Sequence, residues 1–452
     1  MPRPSTMTPR SSRARLVALA GGVVIAGVAV FAKAGAGHGD AADATTPAAP
    51  TATAPAPAAP TAASIPGPAL APAQDLAQKT APPAAAIATA ELQLDKLERV
   101  GDHYEAPLAD GRRAILTLDP DLQAAAEDLL AEARAPRGAI VAMAPDGRIL
   151  ALAGRRTVEP KGGKAGSPDF RLATEVWAPA ASIFKLVTAS ALVAGGLDPD
   201  EKVAFHGGIR SVVESNLKDD RRDNNSASLL FGVAHSNNAI VGKLAYQHLE
   251  PSALDKVAHD LGLGLALPAE LALAGATAEL ALPRDKSLDY ARAAAGFEGS
   301  RLSVLGGALL AATFADAGEQ PVPRIIDSIA GAKLPAAPAH RVLPEAVAKA
   351  VGKMMVATCD VGSAAHSFHH HRVAVAGKTG TLATTTPFYM EHSWFVGYAP
   401  ADHPQVIVSV LLGNPENWHL RGHEAARRLI DRAVRDGKDH ATASRASMVR
   451  VR

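Results

Sequence analysis

Ser182 and Lys185 stand three residues apart at the start of an apolar run that extends to Leu192 and is followed by Gly195 and Gly196. The run predicts a buried helix, and the three-residue spacing places both side chains on one helix face, with the hydroxyl near the positive end of the helix dipole. A lysine kept neutral by burial and by a second cation can take the proton from a serine hydroxyl. The pair therefore fits an activated serine nucleophile, although taken alone it is more typical of an ordinary N-capped helix.

The Ser-x-x-Lys pattern alone is weak, because it arises readily by chance in a chain of 452 residues. A second copy, Ser215 to Lys218, runs into the polar stretch 218–225 and has no apolar helix behind it. We interpret that copy as the chance one, and the charged residues around Arg221 and Arg222 as solvated surface rather than part of a cleft rim.

Two further clusters complete a set of three motifs. Residues 236–238 read Ser-Asn-Asn ahead of an apolar helical run, and residues 378–381 read Lys-Thr-Gly-Thr at the end of a strand-like run. The order S-x-x-K, S-x-N, K-T-G is that of penicillin-binding proteins and class A β-lactamases, although Asn237 replaces the middle Asp of the second motif. The chain thus resembles the transpeptidase domain of penicillin-binding proteins, the enzymes that cross-link peptidoglycan.

The resemblance covers roughly residues 112–436 and includes the elements that must position the motifs. It extends to residues 116–123, the 138–154 hairpin and residues 394–400, whereas residues 295–303 resemble the family's glycine-rich region but lack its Gln-Gly and Thr-Pro. We predict helices over 122–134 and about 418–434, strands over 139–143, 149–152, 394–398 and 406–410, and a mostly helical middle from Ser182 to about Met355. The fold class is α+β, with an antiparallel sheet built from distant segments, flanking helices and an α-rich lobe.

The resemblance implies four catalytic residues. Ser182 would attack the carbonyl of a terminal D-Ala-D-Ala and form an acyl-enzyme, with Lys185 as the base. Ser236 would pass a proton to the departing amine. Lys378 would support this proton relay and favour a neutral Lys185.

It also implies four substrate-binding residues. Asn238 would position the substrate amide, and the hydroxyls of Thr379 and Thr381 would hold its carboxylate. Gly380 would let the substrate backbone approach closely. The backbone N–H groups of Ser182 and Thr381 would form the oxyanion hole.

The sequence leaves the acceptor of the acyl group open. An amine from a second stem peptide gives a D,D-transpeptidase, which is the preferred function, whereas water gives a D,D-carboxypeptidase or a β-lactamase. No glutamate is identified in the place of the deacylating residue of class A β-lactamases, and Asn238 stands where class D enzymes carry an apolar residue. An alternative of another class is a penicillin or muropeptide sensor, or a cell-wall scaffold, with low turnover.

Residues 1–35 predict a membrane anchor or an export signal. An uncharged run of 17 residues, 16–32, follows a segment with four arginines, and residues 32–34 form an acceptable cleavage site. An uncleaved anchor is preferred over a cleaved signal and over a buried soluble helix. It would be a single pass through the inner membrane, with the arginines in the cytoplasm and the catalytic domain in the periplasm.

Three further segments are predicted after the anchor. Residues 36–91 form an Ala/Pro-rich tether, since positions 41–90 hold 22 Ala and 10 Pro and too few large apolar side chains to fold. The transpeptidase domain spans 92–440, and 441–452 is a basic flexible tail. Only about 20 residues separate the tether from the transpeptidase region, too few for the glycosyltransferase or pedestal domain of larger relatives.

Composition excludes several other classes. The chain has 46 Lys and Arg against 45 Asp and Glu, so it lacks the electrostatic signature of a nucleic-acid binder. Its single cysteine, Cys359, allows no intramolecular disulfide and no cysteine-built metal site. His366 and the run 369–371 are interpreted as a solvent loop, and no metal or cofactor is expected. The expected partners are peptidoglycan stem peptides, β-lactams as covalent ligands, the membrane, and cell-wall synthesis proteins.

Overall fold

The computed structural model describes residues 91–157, 167–208 and 211–434. The predicted anchor, nearly all of the tether and the predicted tail lie outside the described residues. Within the described ranges, no helix has the length and apolar character needed to cross a membrane.

The strands and helices follow one another in a mixed order. The strands are β1 Glu98–Val100, β2 His103–Pro107, β3 Arg113–Leu116, β4 Arg137–Met143, β5 Ile149–Arg156, β6 Ser167–Pro168, β7 Ala178–Pro179, β8 Lys202–Phe205, β9 Asn225–Ser228, β10 Ala278–Leu280, β11 Ser300–Leu302, β12 Glu319–Gln320, β13 Ile326–Ile329, β14 Ala332–Lys333, β15 His340–Arg341, β16 Ala376–Thr384, β17 Met390–Ala399 and β18 Val406–Asn414. The helices are α1 Pro120–Ala133, α2 Lys185–Ala194, α3 Leu229–Ala234, α4 Asn238–His248, α5 Pro251–Asp260, α6 Leu288–Ala294, α7 Val304–Ala315, α8 Glu345–Asp360, α9 Ala365–Phe368 and α10 over 422–434.

The main sheet has the strand order β16-β17-β18-β4-β5-β6, with every pair antiparallel. The pairing of β18 with β4 joins segments from the two ends of the domain, so the expected antiparallel sheet from distant segments is confirmed. Alternate residues of its strands face two different cores: Ile140 belongs to the core that contains residues of α1 and α10, while Val141 belongs to the core that contains residues of α2 and α7. Helices therefore cover both faces and hold the edge strand β16 in place.

Strands occur before the region of family resemblance, which starts near residue 112. Strands β1 and β2 join β3, β13 and β14 in a second, five-stranded sheet. Helix α1 also begins earlier than predicted, at Pro120, because the Asp119 carboxylate accepts hydrogen bonds from the N–H groups of Asp121 and Leu122.

The mostly helical middle is wrong as a description of residues 182–355. Helices α2 to α7 are short, and they are separated by loops and by strands of three or four residues. Between β8 and β9, two backbone N–H groups donate to side-chain oxygens rather than to the carbonyls of an α-helix. Val213 N–H donates to Asn216 Oδ1 at 3.0 Å, and Asp220 N–H donates to Asp223 Oδ2 at 3.0 Å.

Candidate active site

Ser182 lies in a 3-10 turn, Ala181–Phe184, that leads directly into α2. The sequence predicted that Ser182 lies in the first turn of the α-helix, whereas it lies in the tighter 3-10 turn that precedes that helix. Ala181 adopts a φ of 49°, a left-handed conformation that is unfavourable for a residue with a side chain. Gly296 packs against this turn so closely that a Cβ at 296 would overlap the carbonyl of Ala181. The nucleophile is therefore held in a strained turn that is supported from outside.

Strand β16 lies beside this turn because β17 is attached to the segment that precedes it. Trp394, which pairs with Gly380 across the sheet, donates from Nε1 to the Pro179 carbonyl at 2.9 Å. A Cβ at position 380 would lie 3.2 Å from Ile183 Cγ1 and 3.3 Å from Ala181 Cβ. The structure thus explains Gly380 by its close packing on the serine turn, a reason that the sequence did not reveal.

The Lys185 amine has three polar neighbours. Its Nζ lies 2.8 Å from Ser182 Oγ, 2.7 Å from Asn238 Oδ1 and 2.6 Å from the Ala295 carbonyl oxygen. A neutral amine has two N–H donors and one lone pair. The donors match the two carbonyl-type oxygens, and the lone pair is left to accept the Ser182 hydroxyl proton. An ammonium would donate to all three oxygens, so the contacts place Nζ beside the nucleophile and leave its protonation state to burial and charge.

Burial and charge favour the neutral state of Lys185. Lys185 is fully buried, which lowers its pKa well below the ordinary lysine value, and the charge of Lys378 lowers it further. Burial also lowers the pKa of Lys378 to about 7, against a small opposing effect of Cys359. Two buried lysines thus occur at the same site, and neither has a carboxylate partner among the described residues.

Ser236 lies in the turn between α3 and α4 with a φ of 56°. Its Oγ accepts a hydrogen bond from Lys378 Nζ at 3.1 Å, and the same amine donates to the Thr379 carbonyl at 2.9 Å. Asn237 caps α4 by accepting from Ile240 N–H at 3.1 Å. Because Asn and Asp are equally good helix caps, the departure of this motif from Ser-Asp-Asn leaves the turn intact.

The two threonines of the third motif lie on one face of β16, two residues apart. Thr379 is half-buried and Thr381 is exposed. The Thr379 hydroxyl is 2.6 Å from the hydroxyl of Ser363, which belongs to no motif.

Sequence reasoning missed three contributions to the site. Asn238 was expected to bind substrate only, but it also holds Lys185; the Ala295 carbonyl and Ser363 were not singled out for any role. The unusual stretch 295–303 was the available signal for Ala295, whereas nothing marked Ser363.

The residues that the sequence set aside make other contacts. Ser215 Oγ lies 3.1 Å from His206 Nε2, and Lys218 is exposed. His369 pairs with Asp360. Within the described ranges, no group of three or more His, Cys, Asp or Glu side chains gathers as metal ligands would.

Comparisons with known proteins agree with this geometry. A family model described as penicillin binding protein transpeptidase domain matches residues 138–432. The probable peptidoglycan D,D-transpeptidase PenA of Neisseria flavescens is 27% identical over 324 residues, covering 68% of this chain and 77% of that protein. The peptidoglycan D,D-transpeptidase PbpA of Mycobacterium tuberculosis is 26% identical over 350 residues, covering 70% of each.

Solved structures give the same result. The crystal structure of PBPA from M. tuberculosis superposes with a TM-score of 0.59 at 24% identity, covering 73% of this chain and 82% of that one. Its imipenem acyl-enzyme complex has a TM-score of 0.59 at 26% identity, covering 72% and 80%. These matches confirm the expected fold class. Since the family match covers well over half of the 452 residues, the chain belongs to the penicillin-binding protein transpeptidase family and is an enzyme of that class.

Proposed function

We propose that this protein is a peptidoglycan D,D-transpeptidase that forms an acyl-enzyme on Ser182. The observation that carries the proposal is the 2.8 Å contact between Ser182 Oγ and the Nζ of the fully buried Lys185. The PbpA and PenA relatives are named as enzymes of this activity, and the PBPA structures include an imipenem acyl-enzyme, which supports the same chemistry here.

The acylation step balances with the residues present. Lys185 Nζ takes the Ser182 proton while Oγ bonds to the carbonyl carbon of the penultimate D-Ala. The N–H groups of Ser182 and Thr381 stabilise the oxyanion. As the peptide bond breaks, the leaving amine of the terminal D-Ala receives a proton through Ser236, which Lys378 supports.

The second step returns the enzyme to its starting state. The acceptor amine of another stem peptide bonds to the acyl carbon, loses its proton to the same basic groups, and Ser182 Oγ leaves with a proton. During both steps Asn238 positions the substrate amide, and the Thr379 and Thr381 hydroxyls bind the carboxylate of the donor peptide. Gly380 keeps the strand close to the serine turn.

The substrate also determines where the catalytic domain must work. Peptidoglycan lies outside the cytoplasmic membrane, so residues 92–440 are proposed to act there. Residues 1–35 would anchor them as a single pass, with 36–91 as the tether and 441–452 as a tail. Cell-wall synthesis proteins remain the proposed partners.

Labelling of the full chain by a fluorescent penicillin tests the proposal. We expect stable label on the wild type and none on Ser182→Ala. Ser215→Ala is the matched control, because Ser215 heads the other Ser-x-x-Lys pattern, and it should label like the wild type. Absence of label on folded wild type would contradict the proposal and favour a scaffold.

The fate of the acyl group decides between the enzyme activities. A D-Ala-D-Ala stem peptide supplied together with an acceptor amine should yield the cross-linked amide. Hydrolysed peptide alone would indicate a carboxypeptidase, and rapid release of hydrolysed penicillin would indicate a β-lactamase.

A further inference from the structure

The turn between α8 and α9, residues 361–364, contacts both the end of α3, just before the second motif, and Thr379 of the third motif. Ser363 N–H donates to the Ala234 carbonyl at 2.9 Å, two residues before Ser236, and Ser363 Oγ lies 2.6 Å from Thr379 Oγ1. Gly362 packs so tightly against Ala234 that a Cβ there would overlap its carbonyl oxygen. The backbone of this turn therefore fixes Ser363 against the Ser236 turn while its side chain reaches β16.

We propose that Ser363 is a positioning residue that orients the Thr379 hydroxyl toward the substrate carboxylate. The inference rests on the proposed function, in which Thr379 binds that carboxylate. A threonine hydroxyl has one proton and rotates freely unless a partner fixes it. When Thr379 donates to a carboxylate, its oxygen can accept only from a neighbouring donor.

Ser363 is that donor. The chain of hydrogen bonds then runs from Ser363 O–H to Thr379 Oγ1, and from Thr379 O–H to the carboxylate. Each bond polarises the next, and a bond to a charged acceptor is stronger than a neutral one. The Ser363 hydroxyl lies at an exposed position, so the contact with Thr379 is available in the open site rather than buried in the core.

The backbone and side-chain contributions of Ser363 can be separated. Ser363→Ala keeps the N–H group that holds Ala234 and removes only the hydroxyl. Ser363→Thr restores a hydroxyl. Ser367→Ala, in α9, is the matched control for loss of a nearby serine hydroxyl.

The test measures second-order acylation rate constants with benzylpenicillin and with its carboxylate methyl ester, using mass spectrometry of the intact full chain. With benzylpenicillin, Ser363→Ala should be acylated about tenfold more slowly than the wild type, the effect of losing support for a charged hydrogen bond. The methyl ester should show little difference between these two proteins. Ser363→Thr should recover the rate with benzylpenicillin, and Ser367→Ala should match the wild type.

A thermodynamic cycle adds a second requirement. In a Thr379→Ala background, Ser363→Ala should have no further effect, because the hydroxyl that it orients is gone. Equal loss with penicillin and ester, or an unchanged rate for Ser363→Ala, would overturn the role of Ser363. Failure of the wild type to be acylated at all would instead overturn the proposed function.

Discussion

Three lysines among the described residues are almost completely buried, and they belong to two regions of opposite electrostatic character. Lys185 and Lys378 are 0% exposed at the active site, and Lys243 of α4 is 1% exposed. Lys243 Nζ meets Asp223 Oδ2 at 2.8 Å and Asp219 Oδ1 at 3.0 Å. The active-site pair has no carboxylate within ion-pair distance in the part of the chain that the structure describes.

Similarly low solvent exposure therefore accompanies opposite pKa shifts. Burial tends to lower the pKa of Lys243, but the hydrogen bonds with Asp223 and Asp219 outweigh it and raise that pKa above its ordinary value. Without such partners, burial lowers the pKa of Lys185 and Lys378. A buried lysine with carboxylates is a structural cation, whereas a buried lysine without them is available for proton transfer.

Substitution by methionine should affect the acylation rate far more at Lys185 than at Lys243. Lys185→Met keeps the apolar length of the side chain and removes the base, so acylation by penicillin should fall about 10³-fold. Rate constants for label formation measure the effect. A fall of less than tenfold would mean that another group takes the Ser182 proton.

Lys243→Met should instead reduce stability and leave acylation largely intact. It leaves the Asp223 carboxylate buried without its cation, which should lower the free energy of unfolding by about 3 kcal/mol. Chemical denaturation measures this loss, and the folded fraction should still be acylated far faster than Lys185→Met. Equal stability of Lys243→Met and the wild type would argue against the structural role of the ion pair.

The pH dependence of stability should differ in sign between the two regions. The folded pKa of Lys378, about 7, lies below the ordinary value of 10.5, so between these pH values the unfolded chain holds a proton that the folded chain lacks. The free energy of unfolding of the wild type, relative to Lys378→Met, should therefore rise with pH across this window.

For Lys243 the folded pKa is raised. Its contribution is fully present below 10.5 and is lost as the pH rises through the raised folded value. Denaturation curves of the wild type and the two methionine variants from pH 7 to 11 supply both differences. If the free energy of unfolding of the wild type relative to Lys378→Met fell with pH, the lowered pKa of Lys378 would be contradicted.

The smallest effect is expected at Asp219, the solvent-exposed partner of Lys243. The Asp219 side chain is 89% exposed, so Asp219→Asn should cost only about 0.5 kcal/mol of unfolding free energy. Asp223, whose side chain is 6% exposed, remains to neutralise Lys243. A loss as large as that of Lys243→Met would show that solvent does not screen this pair.

The contrast between the two regions was only half visible in the sequence. Ser182 and Lys185 are local neighbours on one helix face, and the pairing of Lys378 with Ser236 followed from a known order of motifs. The strand patterns at the two ends of the domain predicted the antiparallel sheet. These parts depend on residue type at fixed spacing, which a sequence displays directly.

Contacts between distant segments that involve backbone groups or residues outside the motifs were not predictable. The Ala295 carbonyl is a backbone group that every residue has, so its contact with Lys185 carries no sequence signal. The stretch 218–225 was interpreted as solvated surface, which is correct for Arg221 but wrong for Asp223. Only the fold shows that Lys243, 20 residues further along the chain, lies beside that carboxylate.

Measuring the protonation state of Lys185 in the resting enzyme tests most directly whether Lys185 is the base that activates Ser182. NMR of the full chain with ¹³C-labelled lysine side chains can follow each ε-carbon with pH, and the signals absent from Lys185→Met and Lys243→Met assign the two residues. We predict that Lys185 loses its proton well below pH 10.5, the ordinary lysine value, and that Lys243 keeps its proton beyond it. A Lys185 signal that titrates with that of Lys243 would contradict the assignment of Lys185 as the base.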